Sequence, residues 1–139
     1  FGSDSNVHIT LFDELRTLEY SQRLRDRSRA ALASPTCSTG NVLFTQGAAG
    51  GAQAAGRPSG SLAVGMYADI IGLEEDNQWL TGRRGDAALD TLIFGGRGQE
   101  CITDVWSAGR HVVKAGRHFD RERIVEAYKS TIAELRSQS

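Results

Sequence analysis

Cysteine is scarce in this chain: Cys37 and Cys101 are the only two among 139 residues, far apart and in no C-x-x-C pair. Neither a zinc ribbon nor a disulfide framework is therefore written into the sequence. Two buried, reduced thiols without chemistry are expected. Long apolar runs are also missing. None approaches the ~20 residues that cross a bilayer, and no charged-then-apolar leader precedes the first helical stretch, so the sequence reads as a soluble, cytoplasmic protein. Charge of one sign is lacking too. Sixteen Lys and Arg face 17 Asp and Glu, for a net charge of −1. That balance gives no overall electrostatic attraction to nucleic acid or to an anionic membrane. No repeat and no low-complexity tail is present. Finally, there is no initiating Met. The chain opens on Phe1-Gly2-Ser3-Asp4-Ser5-Asn6, which reads as the end of a strand cut out of a longer protein.

What is present is ordinary for a globular domain: 40% hydrophobic and 24% charged residues. This length suffices for one compact unit burying roughly two thirds of its unfolded surface. Leu11 to Ala33 runs without Gly or Pro, with Leu11, Leu15 and Leu18 at helical spacing. Thr10 is the expected cap, Asp13 and Glu14 suit the positive end of the helix dipole, and Pro35 stops the element. Arg16, Arg23, Arg25, Arg27 and Arg29 are interleaved with Asp13, Glu14, Glu19 and Asp26. Salt-bridged, solvated or interdomain surface fits that mixture better than a nucleic-acid stripe.

A second helix is expected over Thr39–Gly56 despite Gly47, Gly50 and Gly51, each costing about 1 kcal/mol relative to Ala. Small residues there imply tight packing against a neighbour, and Gly56 and Pro58 end the helix. The pattern then changes to strands. Asp69–Glu74 is a short apolar strand, and Cys101–Gly109 with Arg110–Phe119 forms a hairpin about Ala108-Gly109. Between them Asp86–Gly96 is a short helix or loop that packs Leu89, Leu92, Ile93 and Phe94. A last helix begins near Asp120 as N-cap and carries Ile124, Tyr128, Ile132 and Leu135 on one face. Three or so strands rarely stand alone, so the sheet is expected to be completed by strands outside this sequence.

Two segments carry a resemblance. Gly60-Ser-Leu62-Ala-Val-Gly65-Met-Tyr-Ala68-Asp69, running into Ile70 and Ile71, resembles the G-x-L-x-x-G-x-x-A-D entry to the small β-sandwich domain of metal-dependent amidohydrolases. Its residues can supply a turn at the two glycines and an Asp that bonds turn backbone. Val105 to His118, with Gly109 at a turn and Gly116 ending the return strand, resembles that superfamily's hairpin. The opening text then resembles the formimidoylglutamate deiminases within it. G-S-D-S-N is followed by E-L-R-x-L-E-Y-x-Q-R-L-x-x-R, matched by Glu14, Leu15, Arg16, Leu18, Glu19, Tyr20, Gln22, Arg23, Leu24 and Arg27.

This resemblance implies an α/β chain in three parts. Residues 1–58 would be the end of a (β/α)8 TIM barrel, with its last strand and helices. Residues 59–119 would be the C-terminal part of the composite β-sandwich, and 120–139 a C-terminal helix. It implies a metal-dependent hydrolase of histidine degradation that deiminates N-formimidoyl-L-glutamate to N-formyl-L-glutamate and ammonia. In amidohydrolases the active site lies at the C-terminal strand ends and the last strand ends in an Asp that touches the metal; the resemblance implies that Asp4 is that Asp, metal ligand and catalytic carboxylate. One oxygen would ligate zinc and the other would exchange a proton with the attacking water and the departing nitrogen. Outside that context Asp-Ser-Asn is more often a turn or cap.

Ser5 and Asn6 would orient Asp4 or cap the next helix. His8, His111 and His118 are expected at the surface or partly buried, not on metal. The remaining ligands and the substrate-binding residues would lie upstream, so the chain alone would be inactive and hold zinc weakly. A lone carboxylate suits zinc, iron and manganese alike. The implied partners are the small-molecule substrate, the rest of the same enzyme and a second copy in a homodimer, with no nucleic acid and no membrane. Two other readings stay open: an amidohydrolase acting on guanine, another heterocyclic amine or a chlorinated substrate, and a non-catalytic α+β module that assembles by sheet augmentation.

Overall fold

A computed structural model describes residues 1–138. Three helices form one cluster, a four-stranded sheet stands beside it, and a fourth helix closes the chain. Helix α1 spans Leu11–Asp26, α2 Thr39–Ala54 and α3 Asp86–Phe94. Their apolar faces meet in a core of Phe12, Leu15, Leu43, Leu80, Leu92, Ile93 and Cys101, flanked by half-buried Leu18, Leu32, Phe44 and Leu89. Of the stripe read from the sequence, Leu15 and Leu18 face this core while Leu11 is exposed, and the short helix over 86–94 packs Leu92 and Ile93 as expected.

The first helix is shorter than its Gly- and Pro-free sequence suggested. It ends at Asp26, with Arg27 in the left-handed region at φ 51 and ψ 39 and its N–H on the Arg23 carbonyl. The cause is a tertiary carboxylate. Glu19, fully buried, accepts the backbone N–H groups of Ala31 at 2.8 Å and Leu32 at 2.9 Å, and Arg23 Nε at 2.7 Å. Turning the chain back satisfies those donors and brings Leu32 against the core, which a continued helix would not do. Thr10 occupies the N-cap position, but its side chain makes no capping bond.

Helix α2 is capped by Ser38, whose hydroxyl accepts the Asn41 N–H at 3.2 Å. It lies against α3 closely enough that a Cβ on Gly40 would fall 2.5 Å from Asp90 Oδ1. Glycines 50 and 51 meet nothing within 4 Å, whereas Gly47 lies under the Phe1 ring. Tight packing thus explains Gly40 and Gly47 among the four glycines of α2, and not Gly50 or Gly51.

The sheet is an antiparallel meander, β1 Ile70–Leu73, β2 Ile102–Ser107, β3 Arg110–Lys114 and β4 Arg117–His118. One more, very short, strand is present than the sequence indicated. The hairpin turns at Ala108 (φ 49) and Gly109 (φ 78), and a second turn at Ala115 (φ 49) and Gly116 (φ 71). Positive φ at both central residues is the geometry that matches strand twist in two-residue hairpins. Gly60 (φ 86) and Gly65 (φ 88) provide the turns expected before β1.

Helix α4, Arg121–Ser137, buries none of its residues. Asp120 precedes it without a side-chain capping bond and pairs instead with Arg123. Ile124, Tyr128 and Leu135 stay exposed. Among the described residues no strand occurs before Ile70, so the barrel strand expected at the opening is not formed. A strand needs a neighbour for its ladder, and this chain offers none beside Phe1–Asp4. Among the described residues no helix is long and apolar enough to cross a membrane.

Candidate active-site segment

The candidate residues lie in the irregular stretch Phe1–Thr10. Asp4 sits in a tight turn at φ 45, a left-handed conformation that Asp tolerates better than most side chains. The turn is closed by the Asn6 N–H donating to the Ser3 carbonyl at 2.7 Å. Asp4, Ser5 and Asn6 are all exposed. The Asn6 side chain does not contact Asp4 and does not cap α1. It donates from Nδ2 to Glu14 Oε1 at 2.7 Å, in the first turn of that helix. Two residues on, His8 Nδ1 lies 2.8 Å from Asp13 Oδ2, and Asp13 also pairs with Arg16. A cleft of about 230 Å³ opens here between the start of α1 and the loop Gly96–Glu100. Its cations are already paired, Arg16 with Asp13 and Arg97 with Glu100.

Among the described residues no three of His, Cys, Asp and Glu are grouped so as to hold a metal ion. A zinc site takes three or four donors. The exposed Asp4 carboxylate has the right chemistry for one such donor. The histidines are engaged in other contacts. His8 is on Asp13, His111 Nε2 is 2.7 Å from Asp104 Oδ1 with its ring stacked on Trp106, and His118 stacks on Phe119. Thr103 and His111 beside Asp104 hold that carboxyl below its ordinary range. Burial, with Glu100 and Glu74 adding to it, pushes the Cys101 thiol up, which disfavours its thiolate. Cys37, expected buried, is half-buried, and both thiols are free.

Sequence reasoning missed a pair of carboxylates spaced four apart on α3. Asp86 accepts the Ser38 N–H at 2.7 Å and Asn41 Nδ2 at 2.6 Å, and those bonds lower its pKa. Asp90 accepts the Gly40 N–H at 2.7 Å and the Ser38 hydroxyl at 3.0 Å. Together they cap α2 from a neighbouring helix. The signal was the i, i+4 spacing of the two acids opposite Ser38-Thr39-Gly40, which becomes legible only once α2 and α3 are known to touch.

The two motif segments meet in space. Asp69 Oδ1 accepts the Ala108 N–H at 2.7 Å, and the Gly109 N–H donates to the Ala68 carbonyl at 2.9 Å. No family model matches the chain. Its structure is similar to that of an amidohydrolase from Brucella melitensis known from a crystal structure, with a TM-score of 0.83 and 43% identity over 96% of this chain and 29% of that one. The sequence is similar, more specifically, to the formimidoylglutamate deiminase of Pseudomonas aeruginosa: 45% identity over 135 residues, 96% of this chain. The chain spans 30% of the length of that relative.

Proposed function

We propose that this chain is a portion of a longer amidohydrolase that deiminates N-formimidoyl-L-glutamate to N-formyl-L-glutamate and ammonia, a reaction of histidine degradation. The carrying observation is the 45% identity to a formimidoylglutamate deiminase over 96% of the chain. The opening stretch through Arg27 supports this branch over amidohydrolases of guanine, other heterocyclic amines or chlorinated substrates, whose resemblance is confined to the sandwich segments.

In this reading Asp4 is one of several protein donors to a divalent metal ion, zinc, and the others come from parts of the enzyme outside this chain. Bound zinc would supply Lewis acidity toward the attacking water and the substrate carbon. Asp4 takes a proton from the water as its oxygen bonds the formimidoyl carbon. It returns that proton to the terminal nitrogen, which has taken the C=N π pair. The hydroxyl of the tetrahedral carbon then gives up its own proton to that nitrogen as the formyl C=O forms, the C–N bond breaks and ammonia leaves. Ser5 and Asn6 set the turn that presents the carboxylate. The small sheet, with the hairpin pinned by Asp69, belongs to the accessory β-sandwich, and residues 1–58 to the end of the barrel. The exposed apolar residues of α4, Ile124, Tyr128 and Leu135, suit burial in the whole enzyme or in a homodimer.

The test is ammonia release from N-formimidoyl-L-glutamate by the full-length, zinc-loaded parent enzyme, beside an Asp4→Asn variant and with guanine as competing substrate. Release from formimidoylglutamate that the substitution abolishes is expected. Turnover of guanine alone, or undiminished turnover by Asp4→Asn, would overturn the substrate or the role of Asp4 respectively.

A further inference from the structure

The Asp4 turn has no secondary structure of its own, yet it is tied down on both sides. Asn6 bonds Glu14 at 2.7 Å, and Glu14 directly precedes Leu15, which is 1% exposed in the core. His8 reaches Asp13 at 2.8 Å one residue earlier on the same helix. On the other side the Phe1 ring lies over Gly47 of α2, so close that a Cβ there would be 2.9 Å from Phe1 Cε2. A carboxylate at φ 45 on an untied loop would sample other conformations, and ligand geometry tolerates only about 0.5 Å of drift.

We propose that Asn6 and Glu14 are positioning residues for Asp4, with Glu14 serving as a hydrogen-bond acceptor anchored to the helical core and not as a charge. This rests on the assignment of Asp4 made above. Glu14 fixes Asn6 through its side chain, Asn6 closes the turn through its backbone N–H on Ser3, and Asp4 lies between the two. Because the Glu14–Asn6 bond needs only an oxygen acceptor, Glu14→Gln preserves it and Glu14→Ala removes it.

The experiment uses the full-length parent enzyme loaded with zinc. Zinc release into a chromogenic chelator is followed alongside kcat, KM and the melting temperature. Glu14→Ala and Asn6→Ala are each expected to speed zinc release and lower kcat by roughly tenfold, the upper worth of one ordinary hydrogen bond. KM should change little. The double variant should be no worse than either single one, and Glu14→Gln should recover most of the loss. Since Asn6 is exposed and Glu14 half-buried, melting temperatures should stay close to the parent's.

Wild-type zinc release and kcat in both alanine variants would overturn the inference. So would additive losses in the double variant, or a Glu14→Gln enzyme as impaired as Glu14→Ala. Asp4→Asn, measured in parallel, separates the two levels. If it too retains zinc and turnover, the assignment of Asp4 falls and this inference falls with it. If it is impaired while Glu14→Ala and Asn6→Ala are not, the positioning role alone is wrong.

Discussion

The Asp69 carboxylate accepts the Ala108 N–H at 2.7 Å across 39 positions of sequence. It thereby joins the entry to β1 with the tip of the β2–β3 hairpin. Gly109 completes the junction on the Ala68 carbonyl. The bond is exposed, so Asp69→Ala should cost about 1–2 kcal/mol, toward the low end for a hydrogen bond to a charged acceptor. Urea unfolding would measure it as a lowered midpoint at unchanged slope. Asp69→Asn, which keeps an oxygen acceptor, should lose less than half as much.

The hairpin turn itself invites the opposite kind of change. Ala108 sits at φ 49, where its Cβ is strained and where Asn and Gly are at ease. Ala108→Asn should therefore stabilise the hairpin by roughly 0.5–1 kcal/mol. Gly109→Ala, at φ 78, should destabilise it by about as much or more. A melting temperature that falls for Ala108→Asn would mean that the turn is not of this type in solution.

Local signals of this kind are what the sequence carried well. The hairpin at Ala108-Gly109, the short strand at Ile70–Leu73, the helix on Leu15 and Leu18, and the likeness to a deiminase were all legible, because each rests on residues close together in the chain. The end of α1 was not. Nothing between Leu11 and Ala33 opposes a helix locally, and the reversal at Arg27 exists because Glu19 is buried and takes two backbone donors from beyond it. The opening segment forms no strand for the complementary reason. A strand is a property of a pair, and no partner lies beside Phe1–Asp4. The Asp86–Asp90 cap of α2 was equally hidden, being a contact between helices some 50 residues apart.

Glu19 gives the sharpest stability test. It is 0% exposed and serves three donors. Glu19→Ala leaves the Ala31 and Leu32 N–H groups without their acceptor and releases Arg23. A loss of about 3–5 kcal/mol is expected, against no more than about 1 kcal/mol for the exposed Arg25–Asp26 pair on the same helix. Chemical denaturation of the two variants side by side checks the contrast. Similar losses would mean that the 28–33 segment does not dock on Glu19.

Acid should act through Asp86. Its carboxyl is held below the ordinary range chiefly by the Ser38 N–H and then by Asn41. A depressed folded pKa contributes stability that is present above the unfolded value, near 4, and is lost as pH falls through the folded one. The α2–α3 contact should therefore hold from neutral pH down to about pH 4 and weaken below it. Asp86→Asn should flatten that acid-side decline in the urea midpoint while lowering the plateau at neutral pH. An unchanged acid profile in the variant would assign the decline to other carboxylates, Asp104 and Asp120 among them, whose pKa values are also lowered.

The isolated 139-residue chain should neither retain zinc nor turn over formimidoylglutamate. A structural or catalytic zinc site needs three or four protein donors. Asp4 is one exposed carboxylate, the three histidines are spread between the opening loop and the hairpin, and no metal-sized cluster exists among the described residues. Equilibrium dialysis with zinc followed by elemental analysis should find far less than one ion per chain. Full-length parent enzyme treated identically should hold one, and Asp4→Asn should hold it less tightly. One zinc per isolated chain, lost in the Asp4→Asn chain, would mean that the opening turn rearranges to recruit donors such as His8 and Asp13. In that case the site would be far more local than a barrel assembled from distant strands.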